Sequence, residues 1–224
     1  MKKADKLKSV EPKSYDADYF ERGVQTQKSG YQNYSWLPEL TLKMAHHLVT
    51  QLPLEECQKV LDFGCAKGFL VKALRILDIE AYGVDISRYA IDCVDPEVRG
   101  LCDLVTGASD PKCFSRSYDW LISKDVFEHL TEEQLIELLQ LSRQSVRSIF
   151  AAVPLGKPDG SGFIIPDYDR DITHVTVQPL EWWVKLFEVN GWVVKSVQYS
   201  FRGVKDNWIS AWPQGNAFFI LNKK

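Results

Sequence analysis

The sequence predicts a doubly wound α/β fold, in which helices cover both faces of a mostly parallel β-sheet. Short apolar segments typical of buried strands alternate along the chain with segments whose apolar residues recur at helical spacing. A glycine-containing turn follows the first of these strands, and an aspartate follows the second. The chain of 224 residues is long enough for one such domain with a few additions.

The first strand and its turn are predicted from residues 59–77. Residues 59–63 form a short apolar run that ends at Gly64, which is typical of a buried strand. Gly64 and Gly68 allow backbone angles that other residues avoid, and they let a ligand approach the main chain. Apolar residues at helical spacing over 69–77 predict a helix whose free N-terminal amides face that ligand.

The second strand, predicted over residues 81–84, ends at Asp85. Open α/β sheets bind their ligands at the carboxyl ends of the strands, so this carboxylate is expected at the ligand edge. One carboxylate can accept hydrogen bonds from both hydroxyl groups of a ribose. Together, the glycine turn and Asp85 predict a site for a cofactor that contains a nucleoside.

The later elements follow the same alternation of helix and strand. Thr131 is the predicted N-cap of an amphipathic helix. Helices are predicted over 38–52, 89–93, 131–145 and 179–189, and strands within 98–105 and over 149–153, 192–199 and 217–221. We expect one domain over residues 36–224, with a substrate-side insertion at about 155–174. Residues 1–35 are expected to form an N-terminal tail and a segment that caps the cofactor.

The first motif resembles that of the class I S-adenosylmethionine-dependent methyltransferases. Their motif is roughly Asp/Glu-x-Gly-x-Gly-x-Gly, and here Asp62, Gly64, Ala66 and Gly68 stand at its four positions. Residues 83–87 and 118–130 match the second strand and the fourth strand of that family in the same order. The resemblance implies a Rossmann-like sheet of seven strands with an antiparallel last strand. It also implies S-adenosylmethionine as cofactor and S-adenosylhomocysteine as product.

The resemblance also implies which residues hold the cofactor. The turn is expected to bind the methionine portion, and Asp85 and Ile86 are expected at the ribose. Asp103 and Leu104 are expected near the adenine, and residues 106–108 are an alternative for that position. Lys124 and Asp125 are expected to border the cofactor and the substrate entrance. Tyr31 or Tyr34 is expected to contact the methionine carboxylate; the alternative is that these rings only pack against other side chains. The predicted cofactor residues are Tyr31, Tyr34, Asp62, Gly64, Cys65, Ala66, Gly68, Asp85, Ile86, Asp103, Leu104, Lys124 and Asp125.

A dinucleotide-binding enzyme is the main alternative, because a glycine turn and a ribose-binding aspartate also open nicotinamide and flavin domains. The phosphate-binding pattern Gly-x-Gly-x-x-Gly is absent, since Ala66 and Phe69 occupy its second and third glycine positions. For Asp62 alone, a turn or helix-capping role is the alternative. The second carboxylate at the expected offset favours the methyltransferase interpretation.

Composition limits the other classes of function. The net charge of −3 disfavours a nucleic-acid-binding surface. Apolar runs stay short of membrane-spanning length and the first residues lack a signal-peptide core, so we expect a cytoplasmic protein without membrane contact. The five cysteines show no Cys-x-x-Cys pairing, which indicates neither zinc nor a disulfide framework. The lysine-rich residues 2–13 are expected to form a solvated tail.

Methyl transfer requires few catalytic residues, because the sulfonium is already an activated donor. A hydroxyl or amine acceptor benefits from a general base, and His129 and His174 are the candidates. The alternative for each is a structural role, His129 in its turn and His174 in its loop. A divalent ion bound by Asp167, Asp169, Asp171 and His174 is an alternative, since carboxylates and imidazole can ligate one. These residues match no defined metal-binding loop, so no metal site is predicted.

The acceptor is predicted to be a small molecule of the sugar, amine or phenol type, methylated on oxygen or nitrogen. The segment after the fourth strand lacks the Asn/Asp-Pro-Pro-Tyr/Phe signature of enzymes that methylate base amines. The sequence also lacks the Pro-Cys pair whose cysteine is the nucleophile in enzymes that methylate a cytosine carbon. Trp182, Trp183, Trp208 and Trp212 either form a lid with the insertion or belong to the core. A protein or RNA acceptor and a non-catalytic cofactor-binding partner subunit are the alternatives. The chain is expected to be a monomer or homodimer.

Overall fold

The computed structural model describes residues 9–52, 54–55 and 58–224. Most of the predicted lysine-rich tail and Cys57 therefore lie outside the described residues. The α-helices are α1 (Ala17–Glu21), α2 (Gly23–Thr26), α3 (Pro38–Gln51), α4 (Phe69–Ile76), α5 (Arg88–Asp92), α6 (Glu132–Ser142), α7 (Leu180–Val189) and α8 (Asp206–Ala211). The strands are β1 (Lys59–Phe63), β2 (Glu80–Asp85), β3 (Cys102–Leu104), β4 (Tyr118–Lys124), β5 (Val146–Pro154), β6 (Trp192–Gln198) and β7 (Asn216–Lys223).

The strands form one seven-stranded sheet in the order β3-β2-β1-β4-β5-β7-β6. The pairs from β3 to β5 are parallel, and β7 runs antiparallel to both β5 and β6. The predicted fold class is confirmed, including the antiparallel last strand. Strand order reverses between β1 and β4, and ligands of such sheets bind at the carboxyl ends of the strands beside that switch point.

The hydrophobic core lies on both faces of the sheet. On one face, Leu61 and Leu121 pack with residues of α6 and α7, including the fully buried Trp183. On the other face, Val60 and Ile122 pack with residues of α3 and α4. Neighbouring residues of a strand point to opposite faces of the sheet. Because the neighbouring residues of these central strands are both apolar, both faces of the sheet are apolar, as a doubly wound sheet requires.

The predicted boundaries agree with the structure where a local signal marks them. Thr131 caps α6: its Oγ1 accepts a hydrogen bond from the Gln134 amide (3.3 Å), and the Gln134 side chain accepts one from the Thr131 amide (2.9 Å). This helix ends at Ser142 rather than residue 145, because β5 begins at Val146. The segments α1, α2 and α8 were not predicted as helices.

Aromatic residues of the N-terminal segment form a small cluster of their own. Tyr19 and Phe20 of α1 are buried against Ala90 of α5. Glu11 and Lys13 are exposed, in keeping with the predicted solvated character of that segment. No described helix has the length and apolarity needed to cross a membrane.

Candidate functional site

The turn after β1 is tied to the end of β2. The amides of Gly64 and Cys65 donate to the Val84 carbonyl (2.9 and 3.0 Å). The Asp85 carboxylate accepts from the Ala66 amide through Oδ2 (2.8 Å) and from the Ser87 amide through Oδ1 (2.7 Å). A carboxylate has about four acceptor positions, so both oxygens can also accept from ribose hydroxyls. Burial raises the pKa of Asp85, and the amide donors oppose that rise.

Three residues of this turn have positive φ angles: Gly64 (+83°), Ala66 (+48°) and Gly68 (+75°). A Cβ on Gly64 would lie 2.4 Å from a methyl group of Val126, so glycine is required there. Ala66 occupies the position where the resembling family has glycine, and a left-handed conformation costs a residue with a Cβ about 1 kcal/mol. The hydrogen bond from its amide to Asp85 helps to offset that cost.

Two neighbouring cavities open at this edge of the sheet. The first lies beside Asp85, Ile86, His129 and the segment after β3. The second lies beside Asp62, Lys124 and α3. The residues that line both are Tyr31, Gly64, Ala66 and Asp125. An elongated ligand that occupies both cavities must therefore pass over these four shared residues.

The structure brings most of the predicted cofactor residues to these cavities. Besides the four shared residues, Asp85 and Ile86 line the first cavity. Cys65, Asp62, Tyr34 and Lys124 line the second. Gly68 lines neither; it forms the N-cap of α4, and a Cβ there would lie 3.0 Å from the Cys102 sulfur.

The predicted adenine contacts Asp103 and Leu104 are not at the cavity. Asp103 is exposed within β3, and the cavity is lined by Val105 and residues 106–108, which follow the strand. The alternative position at 106–108 therefore fits the structure better. The reason is the short strand: β3 ends at Leu104, and the ligand edge lies beyond its carboxyl end.

The N-terminal segment contributes residues that were not predicted. Tyr15, Tyr19 and Phe20 line the first cavity, together with Val10 and Pro12. The Ser87 hydroxyl donates to the Tyr15 carbonyl (2.6 Å), which ties this segment to the residues after β2. In the sequence, the only available signal was the run of aromatic residues at 15–20.

Lys67, inside the glycine turn, makes a second connection to the N-terminal segment. Its ammonium group forms an ion pair with Glu21 of α1 and donates to the Tyr34 carbonyl (2.7 Å). The Lys67 side chain is only 11% exposed and that of Glu21 is 29% exposed, so the pair is shielded from solvent on the lysine side. Residues 15–34 are therefore held over the turn on two sides.

Lysines and aspartates are paired at the second cavity. The Asp125 carboxylate binds the ammonium groups of Lys124 (2.6 Å) and Lys205. Lys205, whose side chain is 4% exposed, also donates to the Tyr168 hydroxyl (2.7 Å) and to Asn216 Oδ1 (2.8 Å). Burial opposes ionisation of Asp125, but the two lysines outweigh it and hold its pKa well below the usual range.

Asp62 is buried at the edge of the second cavity. Its burial and the nearby Asp85 carboxylate raise its pKa to about 7, although Lys124 acts in the opposite direction. A cationic group of a ligand in this cavity would favour the charged form of Asp62. The geometry therefore suits a ligand that carries an ammonium group at this end.

His129 and His174 lie with their ring centres 4.6 Å apart. His129 lines the first cavity, whereas His174 lies outside the lining and packs behind it. Burial lowers the pKa of both imidazoles, and the neighbouring His174 further lowers that of His129, to about 4. Both rings are therefore neutral at neutral pH.

Glu128 lies beside the two histidines and was not predicted as a site residue. It is fully buried, and neither carboxylate oxygen has a hydrogen-bond partner among the described residues. Burial, together with the nearby Asp125 charge, raises its pKa to about 8. One ligand atom each of Glu128, His129 and His174 lies within 4.8 Å of the other two, which is compatible with binding one metal ion.

The aspartates that the sequence analysis considered as metal ligands are engaged within their own loop. Asp167 pairs with Arg170 (2.9 Å), and Asp169 accepts from the Phe163 amide (3.0 Å). Asp171 accepts from the Tyr19 hydroxyl (2.9 Å). Of the four tryptophans considered for a lid, Trp208 lines the second cavity, whereas Trp183 belongs to the core.

Comparison with known proteins gives matches to methyltransferases. The family model described as a methyltransferase domain matches residues 36–197. No curated protein sequence matches significantly. Among solved structures, a SAM-dependent methyltransferase from Archaeoglobus fulgidus is 18% identical with a TM-score of 0.59, covering 83% of this chain and 97% of that one.

Two larger proteins share the fold as well. PhzM, a pyocyanin biosynthetic protein, is 17% identical with a TM-score of 0.55, covering 81% of this chain and 55% of that one. CalO1, a methyltransferase in calicheamicin biosynthesis solved with SAH bound, is 13% identical with a TM-score of 0.55, covering 81% and 54%. The chain thus spans about half the length of each.

Replacing Asp85 by alanine is expected to weaken S-adenosylmethionine binding at least about 100-fold, because hydrogen bonds to a charged group contribute about 1.5–3 kcal/mol each. Calorimetric titration measures the affinity, and circular dichroism checks the fold. Asp103→Ala is the matched control, since Asp103 is exposed and outside the cavity. Unchanged affinity in folded Asp85→Ala, or an equal loss in Asp103→Ala, would contradict the proposed ribose contact.

Cofactor affinity is expected to depend on the ionisation of Asp62. Its pKa is about 7 in the free protein, and an adjacent ligand ammonium lowers it, so binding releases a proton. Affinity should therefore rise with pH up to about 7 and then level off, with a slope of at most about tenfold per pH unit. Titrations between pH 5.5 and pH 8.5, roughly 1.5 units either side of that pKa, measure this dependence.

Asp62→Asn is the control for this dependence. It should bind the cofactor more weakly and lose the part of the pH dependence that Asp62 contributes. An identical pH profile in the wild type and in Asp62→Asn would assign the dependence to another group.

Proposed function

The chain belongs to the family of S-adenosylmethionine-dependent methyltransferases, and from this premise we propose that it methylates an oxygen or nitrogen of a small-molecule acceptor of the sugar, amine or phenol type. The observation that supports this most is the lining of the first cavity by aromatic residues of the N-terminal segment. Tyr15, Tyr19, Phe20 and Tyr31 line it beside His129. A concave, mostly apolar cavity with a few polar groups suits a small ligand.

The residues present fit the cofactor at three points. Asp85 offers acceptors for ribose hydroxyls. The bend at Gly64 has no room for a Cβ atom, so the main chain itself borders the cavity there. Asp62 suits the ammonium group of the methionine portion. We therefore assign the adenosine to the part of the first cavity beside Asp85 and residues 105–108, and the methionine end to the second cavity, with the sulfur near the four shared residues. The part of the first cavity beside His129 is then left for the acceptor.

S-Adenosylmethionine supplies a methyl group already activated by the sulfonium charge. The protein then has to hold the acceptor in line with that methyl group, exclude water and promote loss of the acceptor's proton. His129 and His174 are neutral, so their imidazoles have lone pairs for the last task. His129 lies at the cavity surface, and His174 supports it from behind.

The charges at the second cavity argue against an RNA acceptor. The lysines that line it are each paired with an aspartate: Lys43 with Asp206 (2.9 Å), and Lys124 and Lys205 with Asp125. Paired cations offer little attraction to the phosphates of RNA, which bind through unneutralised lysine and arginine. The described residues beside the cofactor turn therefore favour a small, uncharged or weakly charged acceptor.

His174→Ala is expected to lower the turnover number, because His129 loses the ring packed against it. The loss should stay below the roughly 100-fold that is the lower end of what proton-transfer groups contribute, while cofactor affinity changes less than about twofold. The assay is methyl transfer to a panel of phenols, amines and sugars, with cofactor binding measured separately. His46→Ala, on the exposed side of α3, is the control with unchanged turnover. Wild-type turnover in His174→Ala would remove the histidine from the mechanism. Cofactor binding without turnover on the whole panel would favour a non-catalytic partner subunit.

A further inference from the structure

We propose that Glu128, His129 and His174 bind one divalent transition-metal ion of the zinc type. This differs from the sequence-based prediction, which expected no metal site. The inference rests on the proposed function and deepens it: histidines that bind the ion no longer serve as bases, and the ion itself would promote loss of the acceptor's proton. Four observations on this cluster support it: placement, ring orientation, an unsatisfied carboxylate and the donor set.

The first observation is the placement of the three ligands. Glu128 and His129 lie in the 3-10 turn Phe127–His129 after β4, and His174 lies in the loop that follows β5. The amides of Val175 and Thr176 both donate to the Glu128 carbonyl (2.9 Å each), which fixes the two segments against each other. One ligand atom from each side chain then falls within 4.8 Å of the other two.

The second observation is the orientation of the rings. His174 Nδ1 lies 2.6 Å from the Tyr168 carbonyl, which can only accept, so Nδ1 carries the proton. The Thr173 hydroxyl donates to Asp171 (2.5 Å), so its oxygen is left to accept from His129 Nδ1 (2.9 Å). Each ring therefore has its lone pair on Nε2. Metal-binding histidines characteristically donate their other N–H to such oxygens.

The third observation is the unsatisfied carboxylate. Glu128 is 0% exposed, and neither of its oxygens has a hydrogen-bond partner among the described residues. Burying a polar group without a partner destabilises the fold, so buried carboxylates are normally hydrogen-bonded or bound to a metal. An ion held against the two histidines would satisfy it.

The fourth observation is the donor set. Two imidazole nitrogens and one carboxylate suit Zn²⁺ or a similar transition ion, whereas Mg²⁺ and Ca²⁺ prefer oxygen ligands alone. Three protein ligands leave a position for water or the acceptor. A coordinated acceptor hydroxyl would release its proton to solvent more readily. Its oxygen then forms the bond to the methyl carbon as the carbon–sulfur bond breaks, and that electron pair stays on sulfur.

The test is a titration of the full chain with Co²⁺ after removal of bound metal with EDTA. Visible absorption of protein-bound Co²⁺ reports coordination without any need for turnover. We expect one equivalent to bind the wild type, and at least about 100-fold weaker binding in Glu128→Gln and His174→Gln, since even the loss of a supporting partner costs 10–100-fold. His46→Gln is the matched control, because it removes an exposed histidine outside the cluster.

Cofactor titration of the same variants separates this proposal from the proposed function. Retained S-adenosylmethionine binding with lost Co²⁺ binding supports the site, even if no acceptor is methylated. Stoichiometric Co²⁺ binding of equal strength in the wild type and both cluster variants, or none in the wild type, would overturn it. If Glu128→Gln fails to fold, His174→Gln decides alone.

Discussion

The structure of the site depends on the Asp85 carboxylate, which joins two chain segments that are distant in sequence. One oxygen holds the Ala66 amide of the turn after β1, and the other holds the Ser87 amide at the start of α5. Ser87 in turn donates to Tyr15, so the N-terminal segment is connected to the same point. A charged acceptor in a buried setting makes strong hydrogen bonds, and the cavities form around this junction.

Burial has opposite consequences for the ionisable groups around the cavities. Asp125 keeps its charge because two ammonium groups contact it. Glu128 has no such partner, so burial favours its neutral form and likewise the neutral forms of His129 and His174. The second cavity is therefore lined by compensated charges, while neutral groups with free lone pairs adjoin the first. This difference underlies the assignment of the methionine end to one side and of the acceptor chemistry to the other.

Much of the fold was predictable because its signals are local. The turn after β1, the aspartate after β2 and the cap of α6 each depend on residues within a few positions of one another. The short helix α1 was missed, since tertiary contacts among aromatic rings stabilise it rather than helical propensity. Helix α2 is only four residues long and has no periodic apolar pattern. Asp103 was preferred over residues 106–108 because the end of the short strand β3 carries no clear signal. The link between Glu128, His129 and His174 was not predictable from spacing, since it requires pairing of the segments after β4 and β5.

A crystal structure of the chain with S-adenosylhomocysteine tests the central claim most directly. The account predicts that both ribose hydroxyls lie within hydrogen-bonding distance of the Asp85 oxygens and that the sulfur lies beside Tyr31, Gly64, Ala66 and Asp125. A ribose bound away from Asp85, or a ligand confined to one of the two cavities, would contradict it.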